Sequence, residues 1–380
     1  MRAHHLRCEY KANPLGLDIL APRLSWRFDA DTRGAMQTAS QVVAADSIAD
    51  LLEGKLIWDT GKTAGSSSIH HIYSGPALQS RQRVFWRVRV WDENGVESAW
   101  SDPAFWEMGL MTPGDWKAKW ITPDWEEDTS TSQPSPMLRT EFNVDGKVRS
   151  ARLYVTSLGL YETSLNGRRV GDWQFTPGWT TYSKHIQYQT YDVTGHLTGG
   201  ANAIGAVLGD GWYRGRLGWK ERRNLYGDRL ALLLQLHIDY DDGRTEVIVS
   251  DEGWQAATGP ILASDIYNGE TFDARLAQPG WDLPGFDAAT WRGVRVIDQD
   301  KAVLVAQYGP PVRAVEEIQP VSISVAPFRR NHRRFRPDSD RLGAAAGGRR
   351  CGHGDHGAPR RSAGTRWQSL HHEPAHRQSH

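Results

Sequence analysis

With 380 residues, 45 basic and 45 acidic side chains, the chain has room for about two or three domains at roughly 150 residues each. A mean hydropathy of -0.57 and the lack of any run approaching the ~18–20 apolar residues of a membrane span argue against a membrane partner. The two cysteines, Cys8 and Cys351, exclude a disulfide scaffold or a Cys-rich zinc site.

The N-terminus Met1–Cys8 is charged but has no apolar stretch, so no secretory signal is expected and the cytoplasm is the default compartment. The first strands are expected at Leu24–Phe28, Gln41–Ala45 and Leu56–Asp59. Arg83–Trp91 alternates cleanly, with Val84, Trp86, Val88 and Val90 on one face and arginines on the other. Asp92-Glu93-Asn94-Gly95 then has turn chemistry. Short strands with turns between them predict an antiparallel sandwich over 1–112 whose Trp residues are core.

Residues 113–136 are expected to be a linker; within them 122–136, rich in Pro, Ser, Thr and acid and without periodicity, reads as a linker or a long surface loop. Glu126, Glu127 and Asp128 read there as solvated charge. A second β region is expected over 137–312. It has strands at Ala151–Val155, Leu160–Leu165 and Thr245–Val249, and a hairpin signal at Asn166-Gly167. Leu230, Leu232, Leu234, Leu236 and Ile238 share one face of a further strand. The residues predict an all-β chain of two β-sandwich modules in series, and strand-like alternation at Val321–Val325 continues past them.

Two segments carry candidate chemistry. Residues 209–226 combine four glycines, two Trp, two Tyr and two carboxylates, Asp210 and Glu221. Aromatic faces beside polar groups suit a sugar ring, so Asp210, Trp212, Tyr213 and Trp219 are candidate carbohydrate contacts. Equally, the aromatics anchor a long loop to its own sandwich. Residues 264–275 add Glu270 and Asp273 beside Arg275, either a carboxylate pair for sugar chemistry or a structural ion pair. The pairs His4-His5 and His70-His71 have no metal-site partners, and no nucleotide or triad motif is present, so no metal and no cofactor are expected.

These segments resemble the N-terminal part of bacterial α-L-rhamnosidases of glycoside hydrolase family 78. The first module matches in Asn13-Pro14-Leu15-Gly16, Pro22–Trp26, Trp86–Asp92 and Trp116–Ile121. The second matches in Leu158–Glu162, Leu165-Asn166-Gly167, Pro177-Gly178-Trp179-Thr180, Tyr191–Thr194, Gly209–Gly215 and Asp273-Ala274-Arg275. The resemblance implies a fibronectin type III-like module, then a jelly-roll module of carbohydrate-binding character, with the next β-domain starting at 313–327. It also implies enzymes acting on rhamnose-containing glycosides, whose acid and base lie in a later (α/α)6 barrel on which these modules pack. No barrel motif is present in this chain, so no catalytic residue carries over and the chain alone is expected to be inactive.

Residues 328–380 hold 12 Arg, no Lys, 4 acids and 7 of the 14 His, whereas residues 1–327 hold 16 of the 17 Trp. Such a tail cannot bury a core and is expected to be disordered. Read one base out of frame, His371–Arg377, Leu342–Arg350 and Arg334–Pro337 permit peptides similar to the family's next β-domain. A one-base slip between Pro327 and Arg334 is therefore expected in place of a nucleic-acid-binding tail.

Overall fold

The computed structural model describes residues 1–220, 222–325 and 331–334. In the first module the strand Arg83–Trp91 follows its alternation. Val84, Trp86, Val88 and Val90 are fully buried, and Arg83, Phe85, Arg87 and Arg89 face outward. It is paired antiparallel with Ala39–Ala45 on one side and Ala104–Glu107 on the other. A second sheet joins Arg2–Cys8, Arg23–Asp29 and His71–Ile72. Both sheets contribute to one core holding Trp26, Trp86 and Trp106 with Leu24 and Met108. A buried ring of this size removes about 150–250 Å² from water, a gross ~4–6 kcal/mol each before chain entropy is subtracted. The outward arginines are not bare: Arg87 and Arg89 lie over the Trp100 ring at 4.7 and 4.6 Å.

The second module is built on a twelve-stranded sheet that runs from Arg168–Arg169 through Gly200–Gly209, Pro136–Val144 and Arg292–Ile297 to Ala231–Tyr240, Val148–Leu158 and Ile186–Asp192. It folds over on itself. Leu138, Leu165 and Ile204 from one half meet Leu153, Val155, Leu232 and Leu234 from the other in a single core. Asn166 and Gly167 take φ of +53° and +73° between Leu160–Leu165 and Arg168–Arg169, the left-handed pair that a two-residue hairpin demands. The all-β expectation is met, with 43% strand and 6% helix.

The expected linker 113–136 is not a free tether. Trp120–Pro123 is a strand inside the second sheet, pairing Arg292–Ile297 and touching Ala231–Tyr240 at Ile121↔Leu232. Trp116, Ala118 and Trp120 are buried. The Gln235 side chain fixes the approach: its Oε1 accepts from Lys117 N (2.6 Å) and Ala118 N (3.0 Å), and its Nε2 donates to Asp115 O (2.9 Å). The alternation of Trp and Ala with Lys over 116–120 carries this strand pattern, and the Pro- and Ser-rich run behind it masks the signal. Glu126 and Glu127 are likewise not plain solvated charge; they pair with Arg295 and Arg214.

The two modules are tightly joined. Tyr188 Oη accepts from Leu110 N (3.1 Å) and donates to Leu110 O (3.2 Å). Gly109 is required there, since a Cβ would lie 2.1 Å from Tyr188 Oη. Glu107 is 4% exposed and receives both Arg83 (2.6 Å) and Arg152 (2.7 Å). Arg81 reaches Asp239 at 2.7 Å. Lys11 Nζ donates to Gln307 O (2.5 Å), and Asp18 accepts from Ala306 N (2.7 Å).

Beyond the second module, Ser322–Val325 pairs antiparallel with Asn331–Arg334, which places four residues of the expected tail in a hairpin. The rest of the expected out-of-frame, disordered tail lies outside the described residues.

Candidate functional site

The strand Gly200–Gly209 ends at Asp210, and Gly211, at φ +54°, opens a single helical turn over Gly211–Arg214. This turn decides where each aromatic of the segment goes. Tyr213 turns inward: it is 8% exposed and meets Tyr182 edge-on at 5.1 Å. Trp212 turns to the opposite side, where its indole lies parallel to that of Trp179, with centroids 5.9 Å apart and planes within 5°. Phe175 meets Trp212 edge-on at 5.9 Å. Trp179 Nε1 donates to Tyr226 Oη (3.0 Å), which sets the tilt of its ring.

Trp179 and Trp212 wall an open cleft of ≈ 190 Å³ whose other sides are formed by Phe175–Gly178, Gln187 and Gln307–Val312. That volume lies below the about 300–1,000 Å³ of drug-sized ligand sites, so the cleft suits a small ligand. None of the lining residues is Asp, Glu, Lys, Arg or His. Gln189, 1% exposed, ties the two walls together below the floor. It donates to Pro177 O (3.2 Å) and Gln307 Oε1 (2.9 Å) and accepts from Tyr161 Oη (2.7 Å).

Of the six expected sugar contacts, only Trp212 lines this cleft. Asp210 is 2% exposed and accepts from Arg214 Nε (2.6 Å), Arg223 Nη2 (2.7 Å) and Ser132 Oγ (2.9 Å). Both of its oxygens are taken by cations, so it holds the segment together and has no free oxygen for a sugar. Arg214 also pairs with Glu127, and Asn224 Nδ2 donates to Thr129 O (2.9 Å). Residues 127–132 are thus a strap across the 210–224 segment. Tyr213 is in the core, and Trp219, 92% exposed, stands outside the cleft. Glu270 is exposed on the hairpin Ile261–Asp265/Gly269–Phe272. Asp273 caps the turn Ala274–Leu276 and pairs with Arg275, and this guanidinium holds its carboxyl below the usual range. The reading of Asp273 with Arg275 as a structural ion pair therefore describes the geometry better than a sugar carboxylate.

Sequence reasoning missed Trp179, Gln187 and Tyr308 as site residues. Trp179 sits in a motif already noted at Pro177–Thr180, but nothing in the sequence says that it meets Trp212 across 33 positions. Among the described residues, no group of three or more His, Cys, Asp or Glu is placed to hold a metal, and no helix is long and apolar enough to cross a membrane.

The chain thus joins an immunoglobulin-like β-sandwich to a second β-module that carries an uncharged aromatic cleft. Residues 3–112 match the family model of the Rha78A-like N-terminal immunoglobulin domain, and residues 146–316 match that of the α-L-rhamnosidase N-terminal domain. The chain belongs to the α-L-rhamnosidase family through these N-terminal domains. The module expected to be fibronectin type III-like thus matches an immunoglobulin description, a sandwich of related architecture. An α-L-rhamnosidase of Streptomyces avermitilis is 31% identical over 477 aligned positions, covering 82% of this chain and 46% of that protein. One from Alteromonas sp. (strain LOR) is 38% identical over 321 residues, covering 82% and 35%. The solved structure of the Streptomyces avermitilis α-L-rhamnosidase complexed with L-rhamnose superposes with a TM-score of 0.80 at 31% identity, over 85% of this chain and 47% of that one. The chain therefore spans less than half the length of these relatives.

Proposed function

We propose that the chain is the N-terminal part of an enzyme that releases terminal α-L-rhamnose from glycosides, and that its β-modules are not themselves catalytic. The carrying observation is that the cleft presents two parallel indoles and several amides but no carboxylate. Glycoside hydrolysis needs paired carboxyl groups, about 5–5.5 Å apart for retention or ~6.5–9.5 Å for inversion, that together supply much of a ~8–23 kcal/mol barrier reduction. Asp210 is sealed beneath two guanidiniums and Asp273 is bound to Arg275, so neither is free to act. In this proposal the acid and base of an inverting reaction belong to the family's helical barrel, against which these modules pack. Purified 1–380 incubated with an aryl α-L-rhamnoside is expected to show no turnover above an Asp210→Asn, Glu270→Gln control. Turnover lost in that control would place catalysis in the second module and overturn the proposal.

The aromatic cleft favours a second role, binding of the sugar itself. Stacking of a ring's C–H face on indole is the usual basis of such binding, and a relative covering most of this chain is known in complex with L-rhamnose. Binding of methyl α-L-rhamnoside, abolished in Trp212→Ala, supports it. A folded chain that binds no sugar leaves these modules with a docking role only.

A further inference from the structure

We infer that the Trp179–Trp212 cleft is selective for an uncharged sugar ring, and that the Gln187 side-chain amide is the group that reads its hydroxyls; this rests on the sugar-binding reading above. The selectivity follows from the lining. Every side chain around the cleft is aromatic, aliphatic, amide or hydroxyl, without a cation to receive a carboxylate or sulfate. A charged sugar would lose hydration on entry and meet no counter-charge, a costly exchange. A neutral ring loses far less, because its apolar face is covered by indole and its hydroxyls need only amide partners.

The role of Gln187 follows by comparing the cleft's amide and threonine side chains; besides them, only the Tyr308 hydroxyl and the indole N–H groups of Trp179 and Trp212 bring side-chain polar atoms to the lining. Gln307 is held by Gln189. Gln174, with its amide oriented to satisfy its neighbours, accepts from Arg169. Thr176 Oγ1 donates to Tyr161 O. Gln187 is fixed at its backbone, where its carbonyl accepts from Thr156 Oγ1 (2.7 Å) and the strand pairs Gln187 with Val305. Among the described residues its side-chain amide has no hydrogen-bond partner, and it lies half-buried on the cleft wall. It offers a donor and an acceptor side by side, the pattern that matches two neighbouring hydroxyls. Gly178 borders the amide; a Cβ there would make only ordinary contact with Gln187 Nε2, at 3.4 Å, and it is the φ of +104° that favours glycine.

Titration calorimetry on the full chain with methyl α-L-rhamnoside, methyl α-D-mannoside and D-glucuronate tests this. The neutral glycosides are expected to bind with affinities that change less than about twofold between ~20 and ~500 mM NaCl, since no ionic contact is there to be screened. Glucuronate is expected to bind at least about tenfold more weakly. Gln187→Ala is expected to weaken neutral-sugar binding about tenfold with the circular dichroism spectrum and melting temperature unchanged, by loss of hydrogen bonds to the ligand. Equal affinity for glucuronate, a steep salt dependence, or full binding by Gln187→Ala would each overturn the inference while leaving sugar binding standing. Failure of every sugar to bind a folded chain would remove the sugar-binding reading as well, and the two failures are thereby distinguished.

Discussion

At the scale of single residues, His237 has the clearest consequence. It is 8% exposed on the inner strand Ala231–Tyr240, edge-on to Tyr154 at 5.6 Å and hydrogen-bonded at Nε2 to Gln235 (2.7 Å). Burial, reinforced by the Arg81 guanidinium, pushes its pKa down to about 4 from an ordinary 6.5. The folded state therefore binds this proton less readily than the unfolded chain, so stability is lost as pH falls. The loss begins near pH 6.5, grows down to about pH 4 and totals up to about 3 kcal/mol. Urea midpoints measured across this window should fall more steeply for the native protein than for His237→Gln; parallel curves would assign the acid sensitivity to other groups. Nothing in the sequence singles out His237, because its neighbours on that face come from residues 81, 115–118 and 154. Trp86 is the opposite case. A strict two-residue alternation with Val84, Val88 and Val90 puts it inside, and the structure agrees.

At the scale of elements, the strap 127–132 and the turn Gly211–Arg214 form one unit. Asp210 and Glu127 share Arg214, and Ser132 completes the Asp210 carboxylate. Glu127→Gln would leave the 1%-exposed Arg214 with one carboxylate in place of two, a cost of roughly 1–3 kcal/mol for a hydrogen bond to a charged group. The expected outcome is faster proteolytic cutting within 210–229 and a shifted Trp emission, with the first module unaffected; an unchanged cleavage pattern would show that the strap does not restrain the segment. The strands of both modules were legible because each is a local pattern of alternation ended by Gly, Asn or Asp. The strap was not, since its acids look solvated until Arg214 and Arg295 arrive from distant positions. The same reasoning explains the site. Trp212 stood out by the composition of its segment, whereas Trp179, Gln187 and Tyr308 become a wall only through long-range pairing of strands.

At the scale of the whole molecule, the join between the modules runs through buried charged and polar groups shared by both. Glu107 of the first module lies between Arg83 and Arg152, the latter 5% exposed on the second module's inner strand. Breaking a buried pair costs about 3–5 kcal/mol where a charge is left without a partner; Arg152 keeps Asp192 at 3.0 Å, so loss of Glu107 costs less than that. Native protein is expected to unfold in one calorimetric transition, and Glu107→Ala in two, the first module melting separately; two transitions in the native protein would show that the join is weaker than its geometry. The clasp of Lys11 on Gln307 and of Asp18 on Ala306 adds something further, because Gln307 lines the cleft. The first module therefore cannot be exchanged among relatives as a free-standing block. A chimaera that swaps residues 1–112 alone would put foreign groups opposite Arg152, Tyr188, Ala306 and Gln307. A graft that respects the architecture must carry the stretch 304–309 with the first module, so the unit that can be inherited or engineered is the pair of sandwiches together.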